Sequence, residues 1–300
     1  MPSLLHVSDV HFGPPHLAEV ARGVLDFAGE RRPDLVVVSG DLTQRARPEQ
    51  FRAARAWVDR FAAPVIVVPG NHDVPLYRVW ERVFDPFGAY RRHFSPELEP
   101  VHRDERLFVV GINTAYGWTL KEGRIPLPRL LEVAELLERV PETALKVVVA
   151  HHHLIPPPNF GTQTVLANAY EAIDVFSTVG VDLVLSGHQH QAYIGSSEEF
   201  YPKGRPPVVI CHSGTTTSNR GRMGERERNS CNWIEFDDQS LTVSQHRWHR
   251  EEGYFAEHSR HWYPRQERRP FGLEGLEQRA PIPAAARYRP ARAAPDPVGP

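Results

Sequence analysis

Nine short runs rich in Val, Leu and Ile constrain this chain more than any other feature. They cover residues 4–7, 35–38, 65–68, 107–112, 145–149, 183–185, 208–211, 233–236 and 241–243, each bounded by Gly, Pro, Asp, Asn or Ser. A strand with one wet face alternates apolar and polar residues, whereas a continuous apolar run fits a strand covered on both faces. Helix-like stretches separate the early runs. Residues 16–30 carry Leu17, Val20, Val24, Leu25 and Phe27 at helical spacing, and residues 49–61 place Phe51, Ala54, Trp57, Val58 and Phe61 on one stripe. A third helix is expected over 127–140, with Pro128 near its start and Pro141 past its end. Strand–helix–strand alternation up to about residue 186 predicts an α/β layered fold. The last three runs lack helices between them and read as an antiparallel extension of a sheet. Residues 84–106 and 156–169 are Pro-rich and read as irregular, site-forming connections.

Composition excludes several classes. With 300 residues, 41% hydrophobic and 24% charged, the chain can bury a sizeable core. A net charge of −2 argues against a protein built to coat nucleic acid. Two cysteines, Cys211 and Cys231, cannot form a disulfide scaffold and are expected as buried free thiols. The first nine residues lack the basic and apolar regions of a secretory signal, and no apolar run approaches the ~18 residues of a membrane span. The expected compartment is cytoplasmic. From Pro264 to Pro300 there are 8 prolines in 37 residues, which reads as a disordered or loosely docked tail. Residues 1–247 are thus expected as the folded domain. The aromatic segment 248–263 is expected as a short helix packing on the core, with a dimer or lid contact as the alternative.

Five polar clusters follow predicted strands: Asp9-Val10-His11, Gly40-Asp41, Gly70-Asn71-His72-Asp73, His151-His152-His153 and Gly187-His188-Gln189-His190. In parallel α/β sheets the carboxyl ends of strands gather on one edge, where ligands bind. These clusters would therefore converge although they span 180 residues of sequence. Asp, Asn and His without thiolate suit Mn, Fe, Zn, Co or Ni. Asp9, His11, Asp41, Asn71, His151, His188 and His190 are too many ligands for one ion. They match the roughly seven that hold two ions ~3.5–4 Å apart with a shared carboxylate and hydroxide. Asp-x-His and Gly-Asp are weak signals singly; all five in order, each after a strand, are specific.

The set resembles the calcineurin-like metallophosphoesterase superfamily, whose pattern D-x-H, GD, GNHD, H, GHxH runs here over residues 3–190. The resemblance implies a four-layer αββα sandwich of two mixed β-sheets flanked by helices, with a dinuclear centre on its loop edge. It implies that Asp9, His11 and His190 hold one divalent ion, that Asn71, His151 and His188 hold the other, and that Asp41 bridges them. Mn or Fe come first as cofactors. His72 would stand beside the phosphate as an outer-sphere catalytic histidine. Where the family often has His-Pro after the fourth-motif histidine, this chain has His152-His153, so His152 or His153 stays open as the ligand in place of His151. Asp73 would orient a neighbouring backbone or imidazole group, or simply cap a turn. The implied reaction is hydrolysis of a phosphodiester by a hydroxide bridging the two ions.

The opening LLHVSDVHFG, with SGDLT, PGNHD and SGHQH, is most similar to bacterial class III cyclic-nucleotide phosphodiesterases. A small phosphodiester, with cyclic nucleotides in view, is the expected substrate, and a homodimer is an open expectation. Residues 213–217, with Arg220, Arg222 and residues 229–232, either border the substrate pocket or form an ordinary polar loop. Three alternatives remain. A lipid A-type pyrophosphohydrolase, cleaving a UDP-linked acyl sugar, would use apolar lid residues, for which Trp118, Leu120, Ile155 and Phe160 are available. A DNA-repair exonuclease would need a capping domain and basic groove. An inactive binding scaffold would usually lack ligands that are all present here.

Overall fold

The computed structural model describes residues 1–156, 166–201, 206–221 and 228–265. Twelve strands run in chain order: β1 (Ser3–Val7), β2 (Leu35–Val38), β3 (Val65–Val67), β4 (Val101–Arg103), β5 (Leu107–Ile112), β6 (Leu145–Ala150), β7 (Leu183–Ser186), β8 (Tyr193–Ser196), β9 (Val209–His212), β10 (Ser230–Phe236), β11 (Ser240–His249) and β12 (Tyr254–Pro264). Among the described residues six α-helices accompany them: α1 (Ala18–Arg31), α2 (Pro48–Val58), α3 (Val79–Phe84), α4 (Gly88–His93), α5 (Leu127–Glu138) and α6 (Ala169–Thr178). One sheet has the order β12-β11-β10-β1-β2-β3, the other β4-β5-β6-β7-β9-β8. Both are mixed: β1, β2 and β3 are parallel with β10–β12 antiparallel beside them, and β5, β6, β7 and β9 are parallel between antiparallel edges.

The pleat explains why the strand runs are apolar throughout. Successive side chains alternate faces. Leu5, Val7, Val36 and Val38 pack on α1, α2 and α4, while Leu4, Leu35 and Val37 face the other sheet. There they meet Val109, Val147, Val149 and Leu185. The opposite faces of β5, β6 and β7 pack on α5 and α6 through Val110, Val148 and Val184. Three apolar layers between four structural layers give the αββα sandwich that the resemblance implied. Cys211 and Cys231 are buried free thiols, as expected. No helix among the described residues is long and apolar enough to cross a membrane.

Several expectations need correction. Residues 248–263 are not a helix: the end of β11 turns through Gly253 (φ +74°) into β12, which pairs antiparallel with β11 from His249↔Tyr254 to Ser240↔Pro264. Aromatic residues favour pleated, half-buried surfaces, and β11 offers pairing along the whole strand. Of the last three runs, only the two in β10 and β11 extend a sheet antiparallel; β9 lies parallel to β7 in the other sheet. The stretch 84–106 contains α4 and β4, and α6 and β8 were unforeseen. Residues 266–300, the expected tail, lie outside the described residues, as do Phe160 and Arg222.

Candidate metal centre

Every candidate side chain leaves the carboxyl end of a parallel strand, and the backbone there is bent sharply. Asp9 (φ 53°), His11 (47°), Asp41 (52°), His188 (74°) and His190 (57°) all occupy the left-handed region. Only two other non-glycine described residues, Arg32 and Ala46, do so. L-residues adopt this region at a cost, and such cost persists where surrounding contacts over-determine it. Those contacts are present. Asp9 N donates to the Gly40 carbonyl (3.1 Å) and His11 N to the Asp41 carbonyl (2.9 Å), joining the β1 and β2 exits. Thr215 Oγ1 and Thr217 Oγ1 donate to the carbonyls of Asp9 and Val10, each at 2.9 Å. A Cβ on Gly70 would collide with Asp41, so glycine is required for the β3 exit to lie against that carboxylate.

The side chains form two sets. Asp9, His11, Asp41 and His190 are buried, with candidate ligand atoms all within 4.8 Å of one another. His190 Nε2 lies 3.3 Å from Asp9 Oδ1 and 3.3 Å from His11 Nε2. In the second set, the Asn71 amide oxygen lies 3.1 Å from His151 Nε2 and 3.0 Å from His188 Nδ1. Asp41 stands between them, its Oδ2 3.6 Å from His11 Nε2 and its Oδ1 3.3 Å from His151 Nε2. His152 and His153 turn elsewhere: His152 Nδ1 pairs with Thr114 Oγ1 (2.7 Å), and His153 Nε2 lies 3.4 Å from Gln189 Nε2.

The donor set fits divalent cations on its own geometry. Asp9 Oδ1 and Asp41 Oδ2 are buried with no hydrogen-bond partner, a costly state unless a cation meets them. Asp9 Oδ2, by contrast, accepts from Ser8 Oγ (2.7 Å) and His188 N (3.0 Å), which aims Oδ1 at the two imidazoles. Second-side hydrogen bonds fix the histidine tautomers. His151 Nδ1 donates to the Ser39 carbonyl (2.9 Å) and His190 Nδ1 to the Arg220 carbonyl (3.0 Å), so Nε2 is the nitrogen each turns towards the centre.

Electrostatics divide the set. Burial holds the pKa of His11 and His188 well below the usual histidine value, so both are neutral, as ligands must be. Burial also opposes ionisation of Asp9, yet the neighbouring His190 and His11 bring its pKa well down. Asp41 is pushed up to about 6 by burial, with His151 working against the rise. Burial opposes protonation of His151, but Asp41 and Asp9 outweigh it and raise its pKa.

His72 sits beside the first set, its ring edge-on to His11 with centroids 4.9 Å apart. Its Nδ1 donates to the Gln44 carbonyl (3.0 Å), and its Nε2 accepts from Arg220 Nη1 (3.1 Å). Burial, then Arg220, lowers its pKa to about 4. Asp73 accepts from Gly70 N (2.9 Å), Leu42 N (3.1 Å), Thr43 N (2.9 Å) and Thr43 Oγ1 (2.9 Å). It therefore ties the β2 exit to the β3 exit, which is backbone orientation and turn capping at once.

The loop 213–217 packs under the centre. The Thr215 and Thr217 hydroxyls are buried against the Asp9 and Val10 carbonyls, whereas Arg220 reaches His72. Sequence reasoning passed over Gln44 and Arg45, whose Nη1 lies 3.5 Å from His72 Nδ1. Their only signal was adjacency to Gly40-Asp41. Of the apolar residues available for a lid, Trp118 and Leu120 are exposed and Ile155 is buried.

The model of the calcineurin-like phosphoesterase family matches residues 2–192. A probable cyclic nucleotide phosphodiesterase of Synechococcus is 31% identical over 180 residues, covering 58% of this chain and 64% of the relative. A glycerophosphodiester phosphodiesterase of Enterobacter lignolyticus is 36% identical over 80 residues, covering 23% and 29% respectively. The 3′,5′-cyclic adenosine monophosphate phosphodiesterase of Haemophilus influenzae is 28% identical over 160 residues, covering 53% and 55%. The matched stretches thus span less than two thirds of these relatives. In fold, the chain is similar to a dimetal phosphatase from Danio rerio (TM-score 0.62, 10% identity, covering 88% of this chain and 99% of that one). It is similar to a purple acid phosphatase from yellow lupin at the same TM-score of 0.62, with 13% identity, covering 87% and 53%. A family pattern placed at five strand ends, in the same two-sheet sandwich, assigns this chain to the calcineurin-like phosphoesterase family.

Proposed function

We propose that this chain is a metal-dependent phosphodiesterase in which Asp9, His11 and His190 hold one divalent ion, Asn71, His151 and His188 hold a second, and Asp41 is shared. The observation that carries the reading is the Asp41 carboxylate, whose two oxygens face opposite sets. Oxygen and imidazole donors without thiolate favour Mn or Fe, with Zn, Co and Ni as further candidates. Such ions, when bound, neutralise a phosphate and lower the pKa of a water towards neutrality.

The chain's own residues supply the rest. His72 is anchored at Nδ1, so Nε2 is the atom that meets a phosphate. Arg220 now donates to that Nε2 and to Gln44 Oε1 (3.0 Å). Its guanidinium can transfer the first bond to a phosphate oxygen and place a fixed cation where charge grows in the transition state. His72 Nε2 carries no proton here, so holding one at the leaving oxygen requires its uptake after a phosphate has displaced Arg220. Asp73 keeps the loops of Asp41 and His72 in register. Diesters are favoured over monoesters because the relatives that match are named as diesterases of cyclic nucleotides and of glycerophosphodiesters.

The test is hydrolysis of bis(p-nitrophenyl) phosphate by metal-stripped protein with single metals returned, beside the monoester and the 2′,3′- and 3′,5′-cyclic nucleotides. Diester turnover that requires a transition metal and is lost in Asp41→Ala is expected. Folded protein that binds two ions and cleaves none of these substrates would refute the reading.

A further inference from the structure

An asparagine amide meets a cation through its oxygen only, and its two ends are nearly identical in shape. Hydrogen bonds alone decide which end points where. For Asn71 the deciding partner lies outside the two candidate sets. Asn71 Nδ2 donates to the Leu120 carbonyl (3.2 Å), which leaves Oδ1 3.1 Å from His151 Nε2 and 3.0 Å from His188 Nδ1. A flipped amide would put its NH2 group, a donor only, against those two rings. Its oxygen would then face the Leu120 oxygen, acceptor against acceptor. Among the described residues no other group accepts from Asn71 Nδ2.

Leu120 lies in a loop that its own side chains do not hold, since both Leu120 and Trp118 are exposed. Backbone anchors hold it instead. The Arg82 guanidinium, buried on α3, donates to the Thr119 carbonyl, one residue before Leu120. It also donates to the Pro75 carbonyl (3.0 Å), four residues after Asn71. Arg82 thus ties the chain that leaves Asn71 to the loop that supplies its acceptor. A Cβ on Gly117 would collide with the Arg82 carbonyl, so the loop backbone lies directly against α3. Thr119 Oγ1 donates to the Glu122 carbonyl (2.6 Å), and the Gly123 carbonyl accepts from Ala167 N (2.8 Å), which fixes the far end of the loop. Hydrogen bonds from a charged donor are the stronger kind, and Arg82 supplies both of its own from a buried position.

We propose that Arg82 is a positioning residue for the second ion: it holds the Leu120 carbonyl in the place where that carbonyl turns the Asn71 oxygen towards His151 and His188. The inference rests on the two-ion reading above. Arg82 touches neither ion nor substrate and acts only through Leu120 and Asn71. Groups that orient a metal ligand in this way typically change metal affinity by about 10–100-fold when removed.

The experiment is calorimetric titration of Mn into the metal-stripped full chain, with folding checked by circular dichroism. The wild-type chain should bind two ions, and Asn71→Ala identifies the second as the ion that it loses. Arg82→Met, which keeps an unbranched side chain and removes both donations, should weaken that same ion by about 10–100-fold and leave the other unchanged. Gly117→Ala keeps the guanidinium but pushes the loop off α3. It should act in the same direction, and it carries the test where Arg82→Met does not fold. The Asn71→Asp background separates positioning from packing, because either carboxylate oxygen can meet a cation. In that background Arg82→Met should lose most of its effect. Variants that bind both ions as the wild type does would overturn the proposal and leave the two-ion reading standing. Weakening of both ions alike, or an undiminished loss in the Asn71→Asp background, would also overturn it, since Arg82 would then act through packing. A wild-type chain that binds fewer than two ions sinks the two-ion reading and this inference with it.

Discussion

Acidifying the chelator-treated protein from pH 7 to pH 5 should remove much of its stability, because the fold buries neutral histidines. His6 is buried and paired through Nε2 with Ser39 Oγ at 2.8 Å, and burial lowers its pKa to about 3. Burial takes His153 to about 3, and burial with Arg220 takes His72 to about 4. In the unfolded chain each titrates near 6.5. The stability that these groups contribute is therefore complete above pH 6.5 and is lost as pH falls, since only the unfolded state gains protons. At pH 5 the gain is about 2 kcal/mol per histidine, or about 6 kcal/mol for three. Asp41 and Asp73 have the opposite sign. Burial pushes each up to about 6, so the folded state takes up their protons first and the two together offset about 3 kcal/mol. The net loss is about 3 kcal/mol from these five groups. His11, His152, His188 and His212, all lowered by burial, add to it, while the raised His151 subtracts. A domain typically has about 5–15 kcal/mol in total. Urea denaturation followed by circular dichroism should show a midpoint lower by roughly 1 M or more at pH 5 than at pH 7. A midpoint that is equal or higher at pH 5 would mean that these histidines are not held neutral by burial, and the electrostatic account of the centre would fall with it.

Three substitutions test other parts of the structure. His72→Ala should reduce turnover by about 10²–10⁴-fold with metal content intact, measured by kinetics beside elemental analysis; loss of the ions as well would make His72 a ligand. Asp73→Ala leaves the donors of Gly70, Leu42 and Thr43 without their acceptor, and should lower the urea-measured stability by about 3 kcal/mol or more. Gly23→Ala should lower the melting temperature although alanine is the better helix former, because a Cβ there collides with the Trp248 ring. The expected cost of that overpacking is about 1–3 kcal/mol.

The layered α/β architecture and the convergence of the centre were legible in the sequence, and both for local reasons. An apolar run of four to six residues such as β2 or β5 has no solvent-facing side, so a layer on each face follows from the residues alone. Asp9, Asp41, Asn71, His151, His188 and His190 each follow such a run within a few residues, and parallel strands put their ends on one edge. The aromatic residues of 248–263 were less legible. Their spacing is compatible with helix or strand, and only the neighbouring β11 selects the strand by offering a full ladder of backbone partners.

The chain's residues by themselves determined which chemistry could gather: oxygen and imidazole donors, five strand exits, and glycines where backbone must pass close to a carboxylate. Tertiary structure decided the rest, because it depends on distances between residues far apart in the chain. It set His151 Nε2 3.3 Å from Asp41 Oδ1, with its Nδ1 held by the Ser39 carbonyl, while His152 pairs with Thr114. It turned the hydroxyls of Thr215 and Thr217 inward to support the Asp9 turn, and brought Arg220 from 148 positions away to His72. It also tied residue 75 to residue 119 through the Arg82 guanidinium. Residue types limit which contacts are chemically available, but which of them form is settled by the packing that brings the strand ends together.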